Sequence, residues 1–344
     1  MRLLILGGTV FLGRAITDAA LAAGHDVTHL NRGRSGADPR VESIAFDRES
    51  IPFTVAPAGR AWDAAIDTCG YLPQVVRRSA EALRDRVGRY AFISSISTYR
   101  SFERENFDEE SPLYATPDPL PTERTPELYG ALKAGCERVV AETFGDRALL
   151  VRPGLIVGPN DPTDRFTWWP WRAAQGGRFA APGRAERRVQ FIDARDIADW
   201  MVAMLARSAS GTFHVTGPQA PLTMGELVDA CVLAAGDVSA QAVWMPDEFL
   251  CKQEIAPWSE MPLWLPEGDP AWQGFMAADV SRAVAHGLAF RPLEATVRDV
   301  LAWARARAGP HDWKAGLPPA RETALLQAWD DAKGSATAGL GARH

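Results

Sequence analysis

The feature that most constrains this chain is a glycine-rich turn within its first residues. An apolar run at residues 3–6 leads directly into Gly7 and Gly8, and a helical pattern follows at residues 11–23. A strand, a tight turn and a helix in that order open the folds that bind phosphate at a helix N-terminus. Glycine lets the backbone approach a pyrophosphate, although such turns also serve purely structural roles. The turn therefore predicts a dinucleotide-binding unit.

Short apolar segments alternate with helical ones through the first half of the chain. Strands are predicted at residues 3–6, 26–30, 41–45, 63–67, 90–94 and 148–151, and helices at residues 11–23, 74–86 and 127–144. Strands buried on both faces lose the polar alternation of a half-exposed sheet, so this pattern is typical of a parallel sheet covered by helices. The expected fold class of the first half is therefore α/β, a doubly wound parallel sheet.

The sequence changes in character after Pro153. Tryptophans and prolines become frequent, and regular patterns return at residues 189–204 and 211–236, each predicting a strand followed by a helix. The predicted division is a cofactor-binding domain at 1–158 with 189–216 returning to it, a substrate-binding region at 159–188 and 217–308, and a C-terminal helix and flexible tail at 309–344.

Composition and charge narrow the partners that the chain is expected to have. With 344 residues and 47% hydrophobic side chains, the chain has ample material for a core. Its formal net charge is −6, so no basic field favours nucleic acid or an anionic membrane. Four widely spaced cysteines form no metal-binding or redox pair, and no apolar run reaches the length of a membrane span. We therefore expect a cytoplasmic protein without a metal, nucleic-acid or membrane partner.

The end of the second predicted strand bears on which dinucleotide is bound. An NAD-binding unit usually presents Asp or Glu there to the adenosine ribose hydroxyls. This chain has Asn31, Arg32 and Arg34 instead. Guanidinium groups make charge-assisted hydrogen bonds to phosphate, which suits the 2′-phosphate of NADP, although an ordinary solvated basic loop has the same composition. NADP(H) is therefore favoured, with NAD(H) as the alternative.

Tyr129 and Lys133 form a candidate acid–base pair on the third predicted helix. Side chains four residues apart lie on one face of a helix. A tyrosine with a pKa of about 10 is ionised to only about 0.1% at pH 7, and a nearby cation in a poorly solvated site lowers that pKa. Such pairs also arise by chance on surface helices. Here Ser95 and Ser97 follow the fifth predicted strand, where side chains face the ligand crevice of a parallel sheet.

Together these motifs resemble those of the extended short-chain dehydrogenase/reductase superfamily, in its NAD(P)-dependent epimerase/dehydratase branch. The matching residues are Gly7 and Gly13 in the Gly-x-x-Gly-x-x-Gly turn, Ser95 and Tyr99 in a Ser-Ser-x-x-x-Tyr string, and Tyr129 and Lys133 in Tyr-x-x-x-Lys. Val10 stands where the middle glycine is usual. The resemblance covers roughly residues 1–305 and leaves out the C-terminal tail.

The resemblance implies an α/β fold of the Rossmann type, a doubly wound parallel sheet with a small, discontinuous C-terminal substrate domain. It also implies a role for each matching residue. Tyr129 exchanges a proton with a substrate oxygen, Lys133 depresses the tyrosine pKa and contacts the nicotinamide ribose, and Ser95 hydrogen-bonds the same oxygen. The implied cofactor contacts are Gly7, Thr9, Phe11, Leu12 and Gly13 at the pyrophosphate, Asn31, Arg32 and Arg34 at the adenosine ribose, Asp47 at the adenine, Thr68 and Cys69 at the central part, and Lys133 and Pro153 at the nicotinamide.

One departure from the family narrows the reaction. Its 4,6-dehydratases usually carry an Asp-Glu pair directly after the active-site Thr, where this chain has Ile96 and Ser97. A dehydratase is therefore disfavoured, which leaves an epimerase, a reductase or a dehydrogenase. The rival class is a non-catalytic NAD(P)-sensing regulator or an RNA-associated binding protein on the same fold. Such relatives often lose the Tyr/Lys pair that this chain keeps, so we expect an enzyme.

The expected substrate is a sugar-like or nucleotide-linked small molecule. Its candidate contacts are Ser97, Tyr99, Arg165, Trp168 and Arg188. Tryptophan can stack on a sugar or a nucleobase, and arginine can bind a phosphate. The alternative is that the tryptophans pack the core of the small domain or a subunit interface. A homodimer through the second and third predicted helices is a further expectation.

Overall fold

The structure is a computed structural model that describes residues 1–50, 59–237, 239–307 and 311–341, with side chains described as far as residue 334. The chain divides into a first unit of Met1–Ile156, Gln190–Ala220 and Gly274–Phe290, and a second unit of Val157–Val189, Pro221–Gln273 and Arg291–His344. Residues 274–290, assigned to the substrate region from the sequence, thus lie in the first unit.

The regular elements follow each other along the whole chain. The strands are β1 (Arg2–Leu6), β2 (Asp26–Asn31), β3 (Glu42–Ala45), β4 (Trp62–Asp67), β5 (Val87–Ile93), β6 (Ala148–Pro153), β7 (Leu155–Val157), β8 (Arg178–Pro182), β9 (Arg188–Val189), β10 (Phe191–Asp193), β11 (Gly211–Val215), β12 (Leu222–Thr223) and β13 (Gln241–Met245). The helices are α1 (Phe11–Ala22), α2 (Pro73–Leu83), α3 (Tyr129–Phe144), α4 (Trp168–Ala173), α5 (Ala194–Ala206), α6 (Met224–Ala235), α7 (Asp247–Lys252), α8 (Ser281–Ala285), α9 (Leu293–Ala306) and α10 (Pro319–Gly341).

A seven-stranded sheet forms the centre of the first unit. Its strand order is β11-β6-β5-β4-β1-β2-β3, and every neighbouring pair is parallel. The chain moves outward from β1 to β3 on one side and then continues from β4 on the other. The carboxyl ends of the strands on either side of such a reversal form the ligand crevice of open α/β sheets. The Rossmann-type doubly wound sheet expected from the sequence is confirmed.

Both faces of this sheet are covered, which explains the apolar character of its strands. On β1, Leu3 and Ile5 pack into one core with α1 and α5, whereas Leu4 and Leu6 pack into another with α2 and α3. All four side chains are at most 1% exposed. Successive side chains of a strand point to opposite faces, and burying each leucine or isoleucine contributes about 1.5–3 kcal/mol.

The strand predicted near residue 189 does not return to this sheet. Two short strands form there instead: β9, which ends at Val189 and pairs with β12, and the three-residue β10, which pairs with β7. The reason is Asp193, whose side chain accepts the Arg195 N–H at 2.9 Å and caps α5. The strand therefore ends where the helix begins, and of the two predicted returns only that at β11 joins the main sheet.

The second unit contains short strand pairs, β8 with β13 and β9 with β12, together with helices. Its C-terminal part contains helix α10 within the range where the sequence predicts a C-terminal helix, and Glu322 of this helix is buried. Arg172 Nε donates to Glu322 at 2.6 Å, so this helix is tied to α4. Among the described residues, no helix is long and apolar enough to cross a membrane.

Candidate functional site

The turn after β1 requires glycine at three positions. Gly7 and Gly8 have φ values of +106° and +94°, a backbone conformation that residues other than glycine rarely adopt. A Cβ on Gly8 would lie 2.5 Å from the His29 ring, and one on Gly13 would lie 2.7 Å from the Gly8 nitrogen. The turn and the start of α1 therefore form a tight backbone cradle. This cradle fits a dinucleotide, because main-chain N–H groups at a helix N-terminus bind its pyrophosphate.

Val10 occupies the position at which the family usually has its middle glycine. Its backbone is extended, with φ of −125° and ψ of 137°, and its side chain is 50% exposed. The positive φ falls on the next residue, Phe11, at +42°. Any L-residue adopts an extended backbone, so a branched side chain at position 10 causes no strain.

A buried histidine packs against the glycine cradle on the side of β2. His29 is fully buried on β2, and its Nε2 lies 2.8 Å from Thr17 Oγ1. Thr17 Oγ1 donates to the Gly13 carbonyl at 2.8 Å, which leaves the His29 Nε2–H as the donor to Thr17. Burial lowers the pKa of His29, so the ring is neutral near pH 7. Sequence reasoning missed both residues, whose signal is a polar side chain inside an otherwise apolar segment.

The three residues expected at the adenosine ribose differ in whether their side chains already have a partner in the protein. Asn31 Oδ1 accepts the Gly33 N–H at 2.8 Å, so this side chain shapes the loop after β2. Arg32 and Arg34 are exposed, and neither forms an ion pair with any residue that the structure describes. Their guanidinium groups are therefore available to an anionic ligand.

Asp47, expected at the adenine, accepts the Glu49 N–H at 3.0 Å and precedes Arg48, which is bonded to the end of β4. Arg48 Nη1 donates to both carboxylate oxygens of Asp67 at 2.7 and 2.8 Å, and Nη2 donates to Ser79 Oγ at 2.6 Å. Asp67 is fully buried at the end of β4 and accepts Tyr90 Oη at 2.9 Å. Burial alone would raise the pKa of Asp67, but the Arg48 charge and hydrogen bonds outweigh burial and lower it. Sequence reasoning missed this ion pair.

Thr68 and Cys69, expected at the central part of the cofactor, follow β4 directly. Thr68 Oγ1 donates to the Leu6 carbonyl at 2.9 Å, which joins the exits of β4 and β1. The Cys69 N–H donates to Asp67 Oδ1 at 3.1 Å. Burial and the Asp67 charge raise the pKa of Cys69, so its thiol is neutral at pH 7. Both side chains are therefore uncharged groups at this sheet edge.

The other predicted cofactor contacts lie at the same edge of the sheet. Thr9 is half buried in the glycine turn, and Phe11 and Leu12 are the first residues of α1. Pro153 is the last residue of β6, where it pairs with Val215 of β11. Contact between any of these residues and a cofactor stays a prediction.

Lys133 places a buried ammonium group at the exits of β4 and β5. Its side chain is 3% exposed, and Nζ donates to the Gly70 carbonyl at 2.8 Å and to the Ile93 carbonyl at 2.6 Å. Nζ also lies 4.9 Å from the Tyr71 ring centroid and 4.7 Å from that of Phe92. Burial lowers the pKa of Lys133, whereas the carbonyls and the ring faces stabilise the cation. Four contacts therefore fix this group in place.

The start of α3 approaches the turn that follows β5. Ser95 is buried there, and its Oγ accepts the Ser97 N–H at 3.0 Å. Gly130, the second residue of α3, lies so close to the Ser97 carbonyl that any Cβ would clash with it. Tyr129 is half buried immediately before this contact. Glycine at position 130 thus brings the helix turn that carries Tyr129 against the turn that carries Ser95.

Tyr99, a candidate substrate contact, is fully buried and its hydroxyl is already bonded. Tyr99 Oη donates to His214 Nε2 at 2.5 Å and accepts Arg152 Nη1 at 2.6 Å. His214 Nδ1–H donates to the Asp279 carbonyl at 2.7 Å, which leaves Nε2 as the acceptor. Arg152 also pairs with Glu137 of α3 at 2.7 Å. We therefore leave Tyr99 out of the substrate contacts and assign it to the interior network of the first unit.

Three of the remaining candidate substrate contacts, Arg165, Trp168 and Arg188, lie in the second unit. Trp168 is 1% exposed on α4, and Gly316 packs directly against its ring. Its ring belongs to the core of that unit, as the alternative reading of the tryptophans expects, and we leave it out of the substrate contacts. Arg165 and Arg188 are half buried, and the Arg165 guanidinium carbon lies 5.7 Å from the Trp258 ring centroid. These two arginines stay candidates, as does Ser97 in the first unit.

The fold is of the Rossmann type, with a tight glycine turn at the carboxyl edge of its parallel sheet. Residues 71–215 match the model of the NAD dependent epimerase/dehydratase family. Over this segment the match agrees with the resemblance to the epimerase/dehydratase branch of the extended short-chain dehydrogenases/reductases that the motifs indicate.

Two curated relatives and two solved structures are among the proteins to which this chain is similar. Epimerase family protein SDR39U1 of Bos taurus is 24% identical over 69% of this chain and 81% of its own length. Chloroplast stem-loop binding protein of 41 kDa b of Arabidopsis thaliana is 23% identical over 72% of this chain and 67% of its own. UDP-N-acetylglucosamine 4-epimerase from Bacillus cereus has a TM-score of 0.66 at 15% identity, covering 91% of this chain and 99% of its own. Human SDR39U1 (isoform 2), solved with NADPH, has a TM-score of 0.59 at 18% identity, with 88% and 99% covered. These structures share the fold.

Proposed function

We propose that the chain is an NAD(P)-dependent oxidoreductase or epimerase that acts at a hydroxyl or carbonyl carbon of a sugar-like or nucleotide-linked small molecule. The observation that carries the proposal is the buried ammonium group of Lys133, at the sheet edge and one helical turn from Tyr129. Burying a charged amine is costly, and core packing gives no reason for one here. A role in acid–base chemistry supplies that reason.

The first unit would contribute proton transfer and orientation of the substrate oxygen. Tyr129 would give or take the proton of that oxygen, and the positive charge of Lys133 would favour the phenolate. Ser95 Oγ already accepts a backbone N–H, so its own hydrogen is available to donate to the same oxygen. The nicotinamide, when bound, supplies or accepts a hydride at the carbon that bears the oxygen.

The finer choice of cofactor rests on Arg32 and Arg34. Both are exposed, and neither is paired with a carboxylate of the described chain. The end of β2 also lacks the acidic residue that would repel a 2′-phosphate. Structural neighbours are solved with NADPH in one case and with NAD in others. We therefore propose NADP(H) as the preferred cofactor of this chain.

Nucleotide release is the first test of the proposed function. The freshly purified protein is denatured, any released nucleotide is identified by mass spectrometry, and the empty protein is titrated with NADPH and NADH. Tightly retained NAD(H) favours an epimerase, which must return the same hydride and keeps its cofactor. An empty site that binds NADPH more tightly favours a reductase or dehydrogenase. Binding of neither nucleotide contradicts the proposal.

The variant Tyr129→Phe tests the acid–base assignment. Loss of the hydroxyl removes the proton donor and acceptor, so we expect turnover to fall at least about 100-fold while NADPH binding changes little. Turnover is followed at 340 nm with a panel of free and nucleotide-linked sugars and their keto derivatives. The matched control is Tyr114→Phe, because Tyr114 is a partly exposed tyrosine in the same unit. Near-normal turnover of Tyr129→Phe would remove Tyr129 from the mechanism.

A non-catalytic role is the second candidate, since one relative is named a stem-loop binding protein. The retained Tyr129 and Lys133 pair and the net charge of −6 favour the enzyme. Titration with a labelled RNA stem-loop at about 0.15 M salt separates the two candidates. Tight RNA binding without nucleotide binding would favour the non-catalytic role.

Sedimentation would test the homodimer that we expect through α2 and α3.

A further inference from the structure

Tyr71 contacts two cationic side chains that lie on either side of Tyr129 in the sequence. Lys133 Nζ lies 4.9 Å from the Tyr71 ring centroid, and the Arg124 guanidinium carbon lies 4.5 Å from the same point. A ring face attracts a cation within about 6 Å. Lys133 follows Tyr129 by one turn of α3, and Arg124 lies in the loop that leads into this helix. One ring therefore contacts both the loop before Tyr129 and the lysine after it.

The segment around Tyr71 holds the same parts of the site through hydrogen bonds. Gln74 Nε2 donates to the Pro121 carbonyl at 2.9 Å, which ties the loop before α3 to α2. Lys133 Nζ donates to the carbonyl of Gly70, the residue before Tyr71. Residues 70–74 are thus a common support for the loop and for the ammonium group.

We propose that Tyr71 is a positioning residue, whose ring holds the Lys133 ammonium group at the sheet edge and stabilises its positive charge. The inference rests on the proposed function, because it assigns Tyr71 to the acid–base site. Phe92, the other ring against this ammonium group, is fully buried in the core beneath α2 and α3. Tyr71 is half buried, so it is the ring of the two at the accessible side of Lys133.

The other groups that act on the Lys133 charge do not replace the ring. They are Cys136 on the same helix and Asp67 and Cys69 after β4. The Asp67 carboxylate is already paired with Arg48. Burial raises the pKa of both thiols, that of Cys136 to about 12, so neither is an anion at pH 7. The ring faces of Tyr71 and Phe92 and the two carbonyls are therefore the direct contacts that favour the cation.

The test compares Tyr71→Leu, which removes the ring, with Tyr71→Phe, which keeps it. The control is Trp329→Leu, which removes a ring centroid 4.9 Å from Lys333 in the second unit. Binding of NADPH is measured by fluorescence from pH 6 to pH 10, with Lys133→Met as the reference for a lost ammonium group. Without the ring, Lys133 loses its proton at lower pH, so NADPH binding should weaken about threefold to tenfold at pH 8 and the midpoint of the pH dependence should fall. Tyr71→Phe should restore both.

Unfolding by urea at pH 7 and pH 10 gives a second measurement that needs no nucleotide. A lysine whose folded-state pKa lies below its unfolded value contributes stability that rises with pH, because the unfolded chain binds more protons between the two values. Tyr71→Leu lowers the folded-state pKa of Lys133 further. The variant should therefore be less stable than the natural chain at both pH values, and by a smaller margin at pH 10 than at pH 7. Any loss of unfolding free energy in Tyr71→Phe should be the same at pH 7 and at pH 10.

The outcomes separate this inference from the proposed function. If Tyr71→Leu binds NADPH with the same pH midpoint as the natural chain and Trp329→Leu, Tyr71 does not act on Lys133 and the inference is wrong, although the proposed function stands. If the natural chain binds neither NADPH nor NADH, the proposed function fails. The unfolding measurement then decides the inference alone: an equal loss at both pH values overturns it.

Discussion

The hydrogen bonds that each residue of the candidate site already makes limit the role that it can take. Ser95 Oγ accepts a backbone N–H and keeps a hydrogen to donate, whereas Tyr99 Oη has both a donor and an acceptor in the interior. Lys133 Nζ uses two carbonyls and has one further N–H. Arg32 and Arg34 are exposed, which leaves their charge available to a ligand. Partner and exposure, more than residue type, therefore distinguish site residues from structural ones.

At this scale we predict that Arg32→Ser with Arg34→Ser removes the preference for NADPH. Each guanidinium group lost from a phosphate contact costs on the order of 1 kcal/mol at an exposed site, so NADPH affinity should fall about tenfold or more. NADH lacks the 2′-phosphate, and its affinity should change less than about threefold. Fluorescence titration of both nucleotides measures this, with Arg100→Ser, an exposed arginine of the same unit, as control. Equal losses for the two nucleotides would contradict the assignment.

Helix α3 is the element on which the site depends. Its first turn approaches the turn after β5 at Gly130, its second carries Lys133, and its third is tied to β6 by the buried pair of Glu137 and Arg152. Arg152 donates through Nε and Nη2 to the Glu137 carboxylate at 2.7–3.2 Å. This pair fixes where the helix lies against the sheet, and hence where Tyr129 and Lys133 lie.

Glu137→Gln should therefore destabilise the first unit strongly. The substitution keeps the shape of the side chain but leaves Arg152 without its counter-charge in a site that is about 95% buried, which costs about 3 kcal/mol. Glu142→Gln is the matched control, since Glu142 lies on the same helix and pairs with Arg77 at 3.0 Å in solvent. That pair should contribute less than about 1 kcal/mol. Urea unfolding of both variants measures the difference; similar losses would show that the buried pair does not hold the helix.

At the scale of the whole molecule, each of the two units is completed by segments that are distant in the sequence. The first unit closes with β11 and with residues 274–290, which reach the same core. The second closes with the C-terminal segment, where Asp164 accepts from Arg307 at 3.1 Å and from His311 at 2.7 Å. The C-terminal segment is thus part of the second unit, although the family resemblance ends before it.

Truncation tests that role of the C-terminal segment. A chain that ends at Arg307 loses the His311 and Glu322 contacts and uncovers Trp168, so its thermal midpoint should fall by at least about 5 °C. A chain that ends at Gly334 keeps all of these contacts, and its midpoint should stay within about 2 °C. Differential scanning fluorimetry compares the two. Equal midpoints for both truncations and the full chain would show that the segment is dispensable.

Much of the first unit is predictable from the sequence, and the exceptions have physical reasons. Strands buried on both faces produce the apolar runs from which the main sheet is predicted. A strand is predicted where β10 lies, but its short length is not, because Asp193 caps α5 and a capping bond is not visible in hydrophobic periodicity. The pair of Arg48 and Asp67 joins the exits of two strands, so only the folded chain brings these charges together. Tyr99 shows the same limit, because a tyrosine after a strand has the same sequence whether its hydroxyl faces the crevice or the interior.

The conformation of Val10 and Phe11 changes what a search for further members of this group should ask. A pattern that demands glycine in the middle of the turn would pass over this chain, although a Cβ on Gly13 would meet the Gly8 backbone. The feature to require is a pair of glycines followed, after any two residues, by an aromatic residue with a positive φ. Chains discarded for a missing glycine are therefore worth a second comparison.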